Sequence, residues 1–116
     1  MLKNIQYAID SINEHGADKM DEHAKNVWNI LLENIKNINF KKIWCQYSDS
    51  GQHHIFISFR FNHDVFVDMT KYIDSDYIIF SVCRNNECWM SDGLPDDIFF
   101  QRLCNLPNII DKQTWD

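Results

Sequence analysis

Apolar side chains recur at three- and four-residue steps over the first third of the chain and at two-residue steps after it. Leu2, Ile5, Ile9 and Ile12, separated by Lys3, Asn4, Gln6, Asp10 and Asn13, form one face of an amphipathic helix over about residues 2–15, with Gly16 as its natural C-terminal cap. A second helix is predicted from Asp18 or Asp21, either of which can accept from the first free amides. Ala24, Val27, Trp28, Leu31 and Ile35 line its apolar stripe, and it ends around Lys36 to Ile38.

From Phe40 the period falls to two. FKKIWCQYS reads as a strand and DSGQ as its turn. HHIFISFRF follows, with Ile55, Ile57, Phe59 and Phe61 on one face and Phe56, Ser58 and Arg60 on the other. NHD turns the chain into VFVDM, TKYIDSD is a polar connection, and YIIFSVC and CWMS flank the turn RNNE. Five strands with short connections predict an antiparallel meander. Pro95 to Cys104 predicts a short closing helix, with proline in its first turn and Asp96 and Asp97 at the positive end of its dipole. The tail NIIDKQTWD is too short to assign. The expectation is a single α+β domain over residues 1–116: two N-terminal helices, a five-stranded antiparallel meander and a short C-terminal helix, with the helices packed on one sheet face.

Composition adds a polarity. Residues 1–60 carry seven basic and seven acidic side chains, whereas residues 61–116 carry four and ten, so the whole net charge of −6 lies in the second half. That sign disfavours nucleic acid and anionic membranes and favours a basic protein partner. The basic pair Lys41-Lys42 alternates to opposite faces of a strand, which argues against direct nucleic-acid binding. The opening MLKNIQYAIDSINEHG lacks the pattern of a signal peptide, and no apolar run is long enough to span a bilayer, so a soluble, cytoplasmic chain with reduced thiols is expected.

Candidate chemistry is sparse. Cys83 and Cys88 have the spacing of one zinc-site arm, but a second close pair is missing and adjacent His53 and His54 point to opposite faces, so no metal or other cofactor is expected. The same two cysteines could pair across their hairpin as a disulfide; the favoured expectation is two small side chains filling a strand face. His15 and His63 look like capping or solvent histidines and His23 falls on the polar side of its helix. No catalytic signature or phosphate-cradling glycine loop is present, which predicts a non-enzyme. An enzyme or ligand-binding domain would have to use His53, His54 or Cys45.

Partner-binding candidates lie in the acidic loops: Asp74, Asp76, Glu87, Trp89, Asp92, Asp96 and Asp97. In CWMS, Cys88 and Met90 take one face and Trp89 the other. On an edge strand beside carboxylates Trp89 would be an anchor for a partner; alternatively it packs with Trp44, Phe56 and Phe66 beneath a helix. The exposed aromatic face or the edge strand also allows a homodimer.

A small, acidic chain rich in Asn and Ile, with helices followed by an antiparallel meander and no catalytic motif, resembles the cytoplasmic immunity proteins of bacterial toxin systems, contact-dependent inhibition among them. The resemblance rests on size, charge and layout. It implies tight binding to a basic toxin or effector domain, often a nuclease. Phage-encoded anti-defence inhibitors, such as anti-CRISPR proteins, share the same composition.

Overall fold

The computed structural model describes residues 2–61, 64–85, 87–90 and 93–106. His63, Asp92 and the tail 107–116, all considered above, lie outside the described residues.

Helix α1 spans Leu2–Glu14 and α2 Glu22–Ile35, with a single 3₁₀ turn at Ala17–Lys19 between them. Asp21 caps α2, its side chain accepting from the Ala24 amide at 2.8 Å. Ala24, Trp28, Leu31 and Ile35 are the buried stripe. The sheet comprises β1 (Lys42–Ser48), β2 (His54–Arg60), β3 (Val65–Tyr72), β4 (Tyr77–Arg84), β5 (Glu87–Met90) and β6 (Leu94–Pro95). The first five pair antiparallel in chain order, and β6 pairs with β4 at Tyr77↔Pro95 and Ile78↔Leu94. Helix α3 covers Asp96–Cys104, one residue later than expected, because Pro95 is extended and belongs to β6.

The α+β class is the one the periodicities imply, with two differences in the strands. A sixth, two-residue strand is present, too short to leave a pattern. Strand β3 also runs on through Thr70, Lys71 and Tyr72, residues expected to form a polar connection. Thr70 and Lys71 register with both neighbours, Lys71 opposite Ile55 and Ile78, and Tyr72 registers with His54, so the ladders hold a segment whose own sequence reads as loop.

Ladder register sorts the side chains into two faces. Tyr47, Ile55, Ile57, Phe59, Val67, Met69, Ile78, Phe80 and Val82 face the helices and are buried with Ala8, Ile12, Leu31, Phe99 and Leu103. Among the described residues, the other face carries no helix. It presents Trp44, Phe56, Phe66, Ile79 and Tyr77, of which Trp44 and Tyr77 are 46% and 54% exposed.

Edge strand β1 is capped by α1. Ser11 Oγ accepts from the Cys45 amide at 2.8 Å and donates to the Cys45 carbonyl at 3.3 Å, and the Tyr47 amide donates to the His15 carbonyl at 3.0 Å. A hydroxyl and a helix-terminal carbonyl thus occupy the positions a neighbouring strand would take, which protects this stretch from edge-to-edge pairing.

Cys83 and Cys88 form a disulfide, which corrects the expectation that they are separate, reduced side chains filling a face. They sit directly opposite each other in the β4–β5 ladder with Cα atoms 4.1 Å apart. The tight hairpin brings them there: Arg84 pairs with Glu87, and Asn85 turns the chain with a φ of 51°, a left-handed value that asparagine tolerates. A crosslink closing so short a loop contributes about 2 kcal/mol by restricting the unfolded chain. Urea denaturation of Cys83→Ala/Cys88→Ala is therefore expected to show a loss of that size with cooperative unfolding retained. An unchanged midpoint would mean that the two sulfurs are not bonded.

Candidate functional site

The meander places the β1–β2 and β3–β4 turns at one end of the sheet and the β2–β3 and β4–β5 turns at the other. Two contacts bring helix termini to the first end, and a third ties β1 to its own turn there. His23 Nε2 lies 3.0 Å from Asp74 Oδ1, tying the start of α2 to the β3–β4 turn. Lys71 Nζ donates to Asp96 Oδ1 at 2.9 Å and also to the Ser75 carbonyl, tying the start of α3 to the same turn. The buried Tyr47 hydroxyl sits 3.1 Å from His53 Nδ1. Desolvation raises the Tyr47 phenol above its ordinary value, with the carboxylates of Asp21 and Asp49 adding to the effect.

This end gathers exposed Asp18, Asp21, Glu22, Asp49, Asp74, Asp76 and Asp97. Against them stand exposed Lys19 and Lys25, while Lys71 is buried and committed to Asp96. Asp21, Glu22 and Asp97 also lie at the N-terminal ends of α2 and α3. Exposed Tyr77 and Ile98 lie beside the carboxylates. The opposite end carries Lys36, Lys41, Lys42, Arg60, Arg84 and Arg102 against Glu33, Asp64 and Glu87. The charge is thus segregated by end of the molecule, whereas along the chain it divides by half. The first half contributes Asp18, Asp21, Glu22 and Asp49 to the acidic end only because α2 starts there and β1 turns there.

The residues expected to form one partner surface therefore separate. Asp74, Asp76 and Asp97 come together at the acidic end. Asp96 reaches the same place, but its carboxylate is 27% exposed and holds Lys71. Glu87 lies at the far end, paired with Arg84 in the ladder register. For Trp89 the structure corrects the expected neighbours, since it does not pack with Trp44, Phe56 and Phe66. It sits opposite Val82 on the helix-covered face, partly buried against the core, with its indole Nε1 buried and without a hydrogen-bond partner among the described residues. Trp44, Phe56 and Phe66 occupy the opposite, uncovered face. Periodicity does put Trp89 and Cys88 on different faces, but only the pairing with Val82 tells which face is covered.

Chemistry expected of the alternative residues is limited. Cys45 is buried at the centre of β1 and burial pushes its thiol up to about 12, so it stays protonated at neutral pH. His54 Nδ1 engages the Gln52 carbonyl at 3.0 Å and His53 engages Tyr47, so the two rings serve different neighbours. The sulfurs of Cys83 and Cys88 are bound to each other and supply no ligand pair. No helix among the described residues is long and apolar enough to cross a membrane.

One further feature has no signature in the sequence: a depression of about 410 Å³ on the uncovered face, whose lining includes Lys42, Trp44, Phe56, Ser58, Arg60 and Asp68. It exists because Lys42 and Arg60 come opposite each other in the β1–β2 register. No protein-family model, no curated protein and no solved structure matches the chain.

Proposed function

We propose that this chain is a non-enzymatic inhibitor that binds and neutralises a basic, nuclease-type toxin domain, as immunity proteins do. The observation that supports this reading is the convergence of Asp18, Asp21, Asp49, Asp74, Asp76 and Asp97 on one end of the fold. A phosphate-binding cleft offers several cations on a concave surface, and carboxylates carried on two rigid hairpin turns and two helix starts complement it. Such complementarity accelerates encounter and discriminates against acidic competitors. Tyr77 and Ile98, exposed beside the carboxylates, add apolar area that slows release. The enzymatic alternative draws less support, since Cys45 is buried and protonated and His53 and His54 do not converge.

The test is co-expression with the protein encoded immediately upstream. That protein is expected to arrest growth when produced alone, and this chain is expected to relieve the arrest. Asp74→Lys/Asp76→Lys/Asp97→Lys should still fold, since all three side chains are exposed and the His23–Asp74 contact it removes is a solvent-exposed pair that contributes little, yet bind the upstream protein at least about tenfold more weakly and fail to relieve the arrest. Relief that survives the triple reversal, or an upstream product without toxicity, would sink the proposal.

A further inference from the structure

The uncovered sheet face carries a feature unlike the acidic end. Lys42 and Arg60 are directly opposed on β1 and β2, and like charges so placed repel across the strands. Neither forms an ion pair among the described residues. Arg60 instead lies over the Phe66 ring, 4.2 Å from its centroid, which holds the guanidinium against the sheet. Both cations line the 410 Å³ depression together with two aromatic rings, Trp44 two residues along β1 from Lys42 and Phe56 on β2. Trp44 stacks on His15, the residue that follows α1, with ring centroids 3.7 Å apart at 29°, so its indole is held in place where it lines the depression. At the floor, Asp68 Oδ1 accepts from Ser58 Oγ at 2.5 Å, and Ser58 is only 8% exposed.

Each group specifies part of a ligand. Two cations on adjacent strands, neither in an ion pair among the described residues, favour an anion with several oxygens, because a negative group that both can reach relieves the repulsion between them. A fixed indole beside a phenyl ring calls for a flat ring that can stack. Asp68, held by Ser58 and acceptor-only when ionised, calls for a hydroxyl or amine donor and repels a bare anion at that side of the depression. A ring bearing donors, joined to a phosphate, satisfies all three. We infer that the Lys42–Arg60 depression on the uncovered sheet face binds a nucleotide, with the phosphate between Lys42 and Arg60, the base against Trp44 and a hydroxyl or amine on Asp68.

This site is independent of the acidic end, which lies at the other end of the same sheet, and the failure of one would not affect the other. The nucleotide could arrive free or as one residue of a single strand, and the titration distinguishes these. Uniformly 15N-labelled protein is titrated with adenosine 5′-monophosphate, adenosine, inorganic phosphate and a short oligodeoxynucleotide. Adenosine 5′-monophosphate is expected to give saturable shifts confined to Lys42, the Trp44 indole, Phe56, Arg60 and Asp68. Adenosine and phosphate should each bind about tenfold more weakly, since each keeps only one half of the recognition. Tighter binding of the oligonucleotide at the same residues would assign the site to single strands; equal binding per nucleotide would assign it to free nucleotide.

Lys42→Gln and Trp44→Ala alter exposed side chains and should fold as the parent does, while each weakens nucleotide binding about tenfold. Phosphate binding should fall with Lys42→Gln but not with Trp44→Ala. Phosphate as tight as the nucleotide, shifts scattered over the basic end, or affinity indifferent to both variants would overturn the inference.

Discussion

Replacing Gly16 with alanine is expected to destabilise the protein by about 4 kcal/mol, enough to remove much of the stability of a domain this size. The position fails on two independent grounds. Its φ of 113° lies where a side chain is strained, a cost of about 1–3 kcal/mol. A Cβ there would also lie 2.3 Å from the Tyr47 carbonyl oxygen, so backbone must move, adding about 1–3 kcal/mol for the displaced packing. The close approach is structural in purpose. Gly16 follows the residue whose carbonyl receives the Tyr47 amide, and it is where the chain leaves α1 against β1 and turns toward the cap of α2. Shifting this contact would loosen the lock on edge strand β1 and the placement of Asp18 and Asp21 at the acidic end. Thermal or urea unfolding of Gly16→Ala measures the loss. Gly51→Ala is the control: it also has a positive φ, 67°, but no atom lies within 4 Å of its added Cβ, so about 1 kcal/mol is expected. Equal losses at the two positions would show that the Tyr47 contact contributes nothing.

Gly16 was readable from sequence as a helix stop, because a helix pattern ended there; its contact with Tyr47, thirty-one residues on, was not. The same division runs through the fold. Local periodicity identifies Ile55, Ile57 and Phe59 as one face, and Asp21 as a cap, since each depends on residues within a turn or two. What escaped depends on partners brought from afar. Lys71 sits on the apolar face of β3 and breaks its alternation, so the pattern stops at Met69; the strand continues because Asp96, twenty-five residues later, compensates the ammonium. The covered face for Trp89 and the disulfide between Cys83 and Cys88 both follow from the β4–β5 register. Four members of the acidic end were invisible as a group because they lie in the half of the chain whose charges cancel. The Lys42–Arg60 pair spans two strands and is written nowhere along one of them.

The contrast between Asp96 and Asp97, adjacent and both expected at the partner surface, separates the structural from the recognising carboxylates. Asp96→Ala is expected to cost about 3 kcal/mol, because it leaves the Lys71 ammonium, with a side chain only 6% exposed, holding a single carbonyl where it had a carboxylate as well. Breaking one partner of a buried pair costs more than the pair is worth, so Lys71→Met in the Asp96→Ala background should recover most of the loss. Asp97→Ala should change stability by no more than about 0.5 kcal/mol, its side chain being exposed. Binding should show the reverse order. Well below its melting temperature, Asp96→Ala keeps its affinity for a basic partner, and Asp97→Lys loses affinity while melting as the parent does. Urea unfolding of the four variants, with affinity measured at low and physiological salt, reads both quantities. If Asp96→Ala melts like Asp97→Ala, the ion pair does not hold α3 to the β3–β4 turn.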